Sequence, residues 1–231
     1  NDGNLGLGEI PATDSIISTL ERCKELIEGQ SVGKWKSIIS SVRSAISGQE
    51  DDVRGNQTFD LRTAVHVITG IESALLDLAG KNMGLPVVEL LGQYGRQRDE
   101  VEALGYLFFL GDRKKTDLPY PSYDNPIDAW DRVRGEEALT PEAIVRLAEA
   151  AHARYGFQDF KLKGGVLDGH QEADCIRALH EVFPDARLTL DPNGAWTLDQ
   201  AVEYLTPIKD ILSYAEDPCG QEGAWSGRET M

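Results

Sequence analysis

Three charged clusters close three short apolar runs, and their spacing leaves little choice of fold. Phe160-Lys161-Leu162-Lys163, Leu190-Asp191-Pro192-Asn193 and Ala215-Glu216-Asp217-Pro218 each place charge at what reads as the carboxyl end of a strand. Asp191 follows Lys163 by 28 positions and Glu216 follows Asp191 by 25, room for two short loops, a helix and the next strand. These are consecutive βα units, and strands that alternate with helices form a parallel sheet. Side chains along a strand alternate faces, so Lys161 and Lys163 point to the same side and can converge on one ligand.

The period of the pattern changes near residue 100. Up to there it is helical. Thr13 or Asp14 caps a run with Ile16, Ile17, Leu20, Cys23 and Ile27 on one face, with Gly29 available to end it. Trp35, Ile38, Ile39, Val42 and Ile46 mark a second helix, and a third is expected from about Leu61 to Leu78 with Gly80 after it. Pro86 opens a short fourth helix that runs to Gly92. Beyond residue 100, Val101 to Phe109, Asp159 to Lys163, Arg187 to Asp191 and Leu212 to Glu216 read as strands separated by helices. The expected architecture is α/β. A mostly helical α+β capping domain over 1–98 precedes a partial (β/α) barrel of the TIM type over 99–231, with its site at the carboxyl ends of the strands. The stretch from Gly111 to Glu137, with several prolines, Tyr120, Tyr123 and Trp130, shows no period and is expected to be a lid or rim.

A chain of 231 residues with a formal net charge of −16 and no cluster of lysine or arginine is not built for nucleic acid or an anionic membrane. No apolar run is long enough to span a bilayer. Cys23, Cys175 and Cys219 are odd in number and far apart, which fits a reducing, cytoplasmic setting better than a disulfide or zinc framework. With no initiator methionine at Asn1 and about four of the eight barrel units written, the chain reads as a fragment.

The charge balance also constrains the chemistry. An anionic ligand is repelled by the molecule at large, so attraction has to come from local lysines and a bound cation. Removing a proton next to a carboxylate builds a second negative charge on that group, and a divalent cation with an adjacent ammonium relieves it. Asp191, with one or both of Glu216 and Glu222, offers the hard oxygen donors that magnesium prefers. Lys163, nearer the strand end, is assigned as the base. Lys161, deeper, holds its neighbour's pKa down and binds a substrate carboxylate.

Thr58-Phe59-Asp60-Leu61-Arg62-Thr63, Gly105-Tyr106-Leu107-Phe108-Phe109, Phe160-Lys161-Leu162-Lys163-Gly164-Gly165, Leu190-Asp191-Pro192-Asn193-Gly194-Ala195-Trp196 and Tyr214-Ala215-Glu216-Asp217-Pro218-Cys219-Gly220 resemble the glucarate dehydratases of the enolase superfamily. The pairing of a lysine base with magnesium is a known property of enolase-type sites and is carried over with the resemblance. The resemblance implies that Lys163 is one of two bases, with Lys161 its auxiliary, and that Asp191 binds Mg2+. It implies that Asn193, Tyr106 and Thr58 contact a sugar diacid. The superfamily at large places the second metal ligand at Glu216, whereas the glucarate dehydratases point to Glu222, which is preferred. A third ligand and a histidine base are expected beyond Met231, and His66, His152, His170 and His180, all in helical stretches, are not expected to replace that base.

The implied reaction converts D-glucarate, or L-idarate, to 5-keto-4-deoxy-D-glucarate, in a full-length protein expected to be a homo-oligomer. Beside it stand a racemase or a galactarate dehydratase of the same superfamily, and a non-catalytic relative that keeps the fold. Expressed alone, these residues are expected to aggregate or pair through open sheet edges.

Overall fold

The computed structural model describes residues 3–11, 13–47, 62–92, 100–117 and 126–231. They fall into two compact units, one reaching Glu100 and the other starting at Val101.

The first unit is built from helices α1 (Asp14–Ile27), α2 (Trp35–Ala45), α3 (Arg62–Met83) and α4 (Val87–Leu91). Thr13 caps α1 by accepting the Ile16 N–H at 3.3 Å, and Gly29 takes up φ +76 just beyond its end. Ile16, Cys23, Ile38, Ile39, Val42, Val67 and Ile71 form its core. α3 does not stop before Gly80. It runs to Met83, and Gly84, at φ +67, follows its end. Gly80 serves packing instead, because a Cβ there would meet the Leu85 carbonyl oxygen at 2.6 Å. Residues 3–11 form neither helix nor strand among those described. They lie against α3, where Gly6 and Gly8 approach the Ala74 and Gly70 carbonyls so closely that a Cβ on either would sit at 2.2 Å.

The second unit is α/β. Strands β1 (Gly105–Phe108), β2 (Phe160–Lys163), β3 (Leu188–Asp191) and β4 (Leu212–Ala215) form one sheet in the order β1-β2-β3-β4, every pair parallel. Helices α5 (Ala129–Val133) and α6 (Pro141–Tyr155) lie between β1 and β2, α7 (Gly169–Val182) between β2 and β3, α8 (Leu198–Leu205) between β3 and β4, and α9 (Gly227–Thr230) after β4. This is the succession of a (β/α) barrel. Helix starts follow their caps. Thr140 accepts the Ala143 N–H ahead of Pro141, Asp168 accepts the His170 N–H, and Thr197 with Gln200 closes a capping box.

One face of the sheet supplies the core. Leu107, Phe160, Leu162, Leu188 and Leu190 are fully buried with Ile144, Leu147, Ile176 and Leu179 from α6 and α7. Each such side chain contributes about 1.5–3 kcal/mol of burial. Gly105 starts β1 because a Cβ there would press on the Phe160 ring at 2.8 Å. The alternate residues face the other way. Tyr106 pairs with Lys161, Phe108 with Lys163, Lys161 with Thr189, and Lys163 with Asp191.

The described parts of the stretch from Gly111 to Glu137, residues 111–117 and 126–137, hold more regular structure than their sequence suggests. Where described, it contains a 3-10 turn, Arg113–Lys115, and α5, whose N-cap Asp128 accepts the Asp131 N–H at 2.9 Å and also pairs with Arg154 of α6. Leu110 and Ala138 exchange backbone hydrogen bonds of 3.1 and 2.8 Å and close its two ends together. No described helix is long and apolar enough to cross a membrane.

Candidate active site

At the carboxyl ends of β2, β3 and β4 four charged side chains share hydrogen bonds. Asp191 Oδ2 accepts from Lys161 Nζ at 2.8 Å and from Lys163 Nζ at 2.7 Å, and Lys161 Nζ also donates to Glu216 Oε1 at 2.7 Å. The register explains the meeting. Lys163 stands opposite Asp191 on neighbouring strands, Lys161 lies two residues deeper on the same face, and Glu216 follows β4 directly. The second oxygen of Asp191 accepts the Asn193 N–H at 3.1 Å.

Burial sets the electrostatics. Asp191 is only 2% exposed, which by itself would raise its pKa, but the hydrogen bonds from Lys161 and Lys163 outweigh that and hold it below the usual carboxyl value. Burial likewise disfavours a charged Lys161, yet Asp191 and Glu216 together raise its pKa above the ordinary lysine value. Lys161 is a fixed cation in this arrangement. Its ammonium also sits 5.2 Å from the centroid of the Tyr106 ring, which packs at 4.5 Å on Phe108.

The loops that end the strands are laced to one another. Gly164 donates to the Asp191 carbonyl at 2.8 Å, Glu216 to that of Leu190 at 2.9 Å, and Gly194 to that of Asp217 at 2.6 Å. These bonds hold two non-glycine residues in the left-handed region, Asn193 at φ +59 and Asp217 at φ +40. Such a conformation costs roughly 1 kcal/mol or more and persists only where its surroundings impose it.

Of the residues singled out by sequence, Lys161, Lys163, Asp191 and Glu216 come together, with Tyr106 beside them. Asn193 is the turn residue next to Asp191. Glu222 is engaged elsewhere, since its Oε1 accepts the Leu198 N–H at 2.5 Å at the head of α8. Thr58 lies outside the described residues. The four histidines are in helices, His66 in α3, His152 in α6, and His170 and His180 in α7. The three cysteines are buried and free.

Two neighbours escaped the sequence reading. Phe108, opposite Lys163, could have been found from strand alternation. Glu172 on α7 is fully buried and accepts the N–H groups of Gly165, Val166 and Leu167, and a glutamate in a first helical turn ordinarily reads as a solvated charge.

The donor set fits magnesium. Asp191 and Glu216 both reach one point, now filled by the Lys161 ammonium, and magnesium takes one or two protein carboxylates while keeping several waters. Among the described residues no three histidine, cysteine, aspartate or glutamate side chains gather into a larger metal-binding group.

Comparison with known proteins gives this geometry a lineage. Residues 2–92 match the mandelate racemase / muconate lactonizing enzyme N-terminal domain, and residues 143–228 match the family described as enolase C-terminal domain-like. A probable glucarate dehydratase of Streptomyces coelicolor is 36% identical over 94% of this chain and 49% of its own length. An arabinonate dehydratase of Saccharolobus solfataricus is 26% identical over 94% of this chain and 50% of its own. An enolase of Pseudomonas fluorescens Pf0-1, crystallised with magnesium, potassium and tartrate, superimposes with a TM-score of 0.78 at 29% identity, covering 95% of this chain and 50% of that one. The chain thus spans about half the length of the curated relatives first matched. With both domain types in order along one chain, and a lysine pair facing carboxylates at the ends of parallel strands, this protein belongs to the enolase superfamily.

Proposed function

We propose that this chain carries part of the active site of a magnesium-dependent acid-sugar dehydratase acting on D-glucarate or L-idarate to give 5-keto-4-deoxy-D-glucarate. The observation that carries the reading is the contact of Lys161 and Lys163 with Asp191, extended by Lys161 to Glu216, across three neighbouring strand ends. The similarity to a probable glucarate dehydratase supports the choice of substrate class.

Each residue has a role in this reading. Lys163 Nζ takes the proton from the carbon next to a substrate carboxylate. The electron pair left behind forms a carbon–carbon double bond as the β-hydroxyl is expelled, the lost hydroxide and the proton taken up by Lys163 together make up the water released, and the resulting enol relaxes to the ketone. Lys161, as an ammonium group, faces the substrate carboxyl on which negative charge builds up. Asn193 and Tyr106 orient the diacid from the rim and the adjoining strand, as does Thr58. Asp191, with Glu216 or Glu222, would hold magnesium, Glu222 being the ligand that the resemblance to glucarate dehydratases favours. When bound, the metal supplies Lewis-acid stabilisation of the substrate carboxylate. The same reading places the protein in the cytoplasm, where its three buried thiols stay reduced.

The test is a panel of sugar diacids, including galactarate, incubated with the protein bearing this chain and assayed for keto-acid formation. D-Glucarate and L-idarate should be consumed, with turnover lost in a chelator and restored by magnesium. Lys163→Ala should lower kcat by about 10²- to 10⁴-fold. Absence of turnover on every diacid, with magnesium present, would dismiss the dehydratase reading.

A further inference from the structure

Glu172 is a buried carboxylate to which neither the catalytic nor the metal-binding reading gives a role. A charge withdrawn from water is retained only where hydrogen bonds replace its hydration. Here they come from three successive backbone N–H groups: Oε1 accepts from Val166 and Leu167 at 2.9 Å each, and Oε2 accepts from Gly165 at 3.0 Å. The nest so formed begins two residues after Lys163.

The chain between the nest and Lys163 has no slack. A Cβ on Gly164 would lie 2.3 Å from Glu172 Oε2, and one on Gly165, at φ +74, would lie 2.2 Å from the Pro192 carbonyl oxygen. Gly164 also donates to the Asp191 carbonyl at 2.8 Å. The segment is therefore clamped between Glu172 on one side and the turn after Asp191 on the other. Lys163 is the residue at which the clamp meets the strand.

We infer that Glu172 is a positioning residue: by gathering the backbone of residues 165–167 it fixes the strand end from which Lys163 reaches Asp191, without itself touching substrate. The inference rests on the reading of Lys163 as the base. A carboxylate that only stabilised the start of α7 would leave the catalytic split unmoved.

Glu172→Gln tests it in the protein bearing this chain, because the amide keeps the shape and one acceptor but turns an NH2 toward at least one of the three donors. Amide hydrogen exchange at Gly165, Val166 and Leu167 should quicken about 10-fold or more, with the Phe160 and Leu190 amides unchanged. For a diacid substrate kcat should fall about 10-fold or more while KM stays within about 2-fold, as expected when a base is displaced but binding is kept. Glu172→Asp, with both acceptors on a shorter arm, should recover part of kcat. Unaltered exchange in the loop overturns the inference, and so does a lowered melting temperature with kcat and KM as in the parent. Should Glu172→Gln not fold, Glu172→Asp compared with the parent carries both measurements under the same criteria. If the parent protein turns over no diacid, the dehydratase reading fails on its own, and the exchange measurement still decides whether Glu172 holds the loop.

Discussion

Asp191 takes two ammonium groups on a single oxygen while almost wholly shielded from water, so its charge is indispensable to its neighbours. Because its folded pKa lies below the ordinary value of 3.8, the stability it contributes is complete above that value and is lost as the pH falls through the folded one. Replacing it with asparagine should cost about 3 kcal/mol near neutrality, the low end for a broken buried pair since both lysines keep some water. Urea unfolding over a pH series should show that difference shrinking once the pH drops beneath 3.8, and a constant gap would count against the assignment. The two candidate second ligands separate in the same simple way. If Glu216 binds magnesium, Glu216→Gln should weaken it about 10-fold or more in a calorimetric titration while Glu222→Gln leaves it near the parent, and the reverse ranking would make Glu222 the ligand. Lys161, Lys163 and Asp191 were legible because a two-residue alternation and a strand-end position suffice to place them. Glu222 was an open alternative to Glu216 among the acidic residues and was preferred by resemblance, and its hydrogen bond to the Leu198 N–H depends on how the loop after β4 folds back, which no local period encodes.

Helix and strand boundaries follow the strength of their local signals. Thr140-Pro141 and Thr197 stand at the starts of α6 and α8, where cap and first-turn residues act within a few positions. Thr197→Ala removes the hydroxyl half of the capping box, leaving the Gln200 side chain on the backbone N–H of residue 197, and should lower stability by about 1 kcal/mol, read as a shift in the denaturant midpoint without a change in slope. α5 was missed. With five residues it has no turn-to-turn period, and its cap Asp128, besides accepting the Asp131 N–H, is held by Arg154, 26 positions away. The end of α3 was misplaced because a glycine in a helix signals either a stop or a close approach, and only the Leu85 carbonyl beside Gly80 tells which.

The α/β unit has a finished face and an open one. Helices bury the first, while Tyr106, Phe108 and Tyr214 are 42, 45 and 51% exposed on the other, and β1 and β4 pair on one side only among the described residues. These 231 residues expressed alone should therefore associate as concentration rises, with an apparent mass above 25.4 kDa in sedimentation equilibrium. A single monomeric species across a 100-fold concentration range would contradict this. At the opposite ends of the strands, Arg187 donates to Glu102 Oε2 at 2.5 Å and to Asp159 Oδ2 from Nε at 2.7 Å, while its own backbone N–H reaches Asp159 Oδ1 at 2.8 Å. That clasp binds the approaches to β1, β2 and β3 far from any reacting atom. Because this fastening and the Lys163–Asp191 contact lie at opposite poles of the sheet, acids and bases can be exchanged at the one without disturbing the ion pairs at the other.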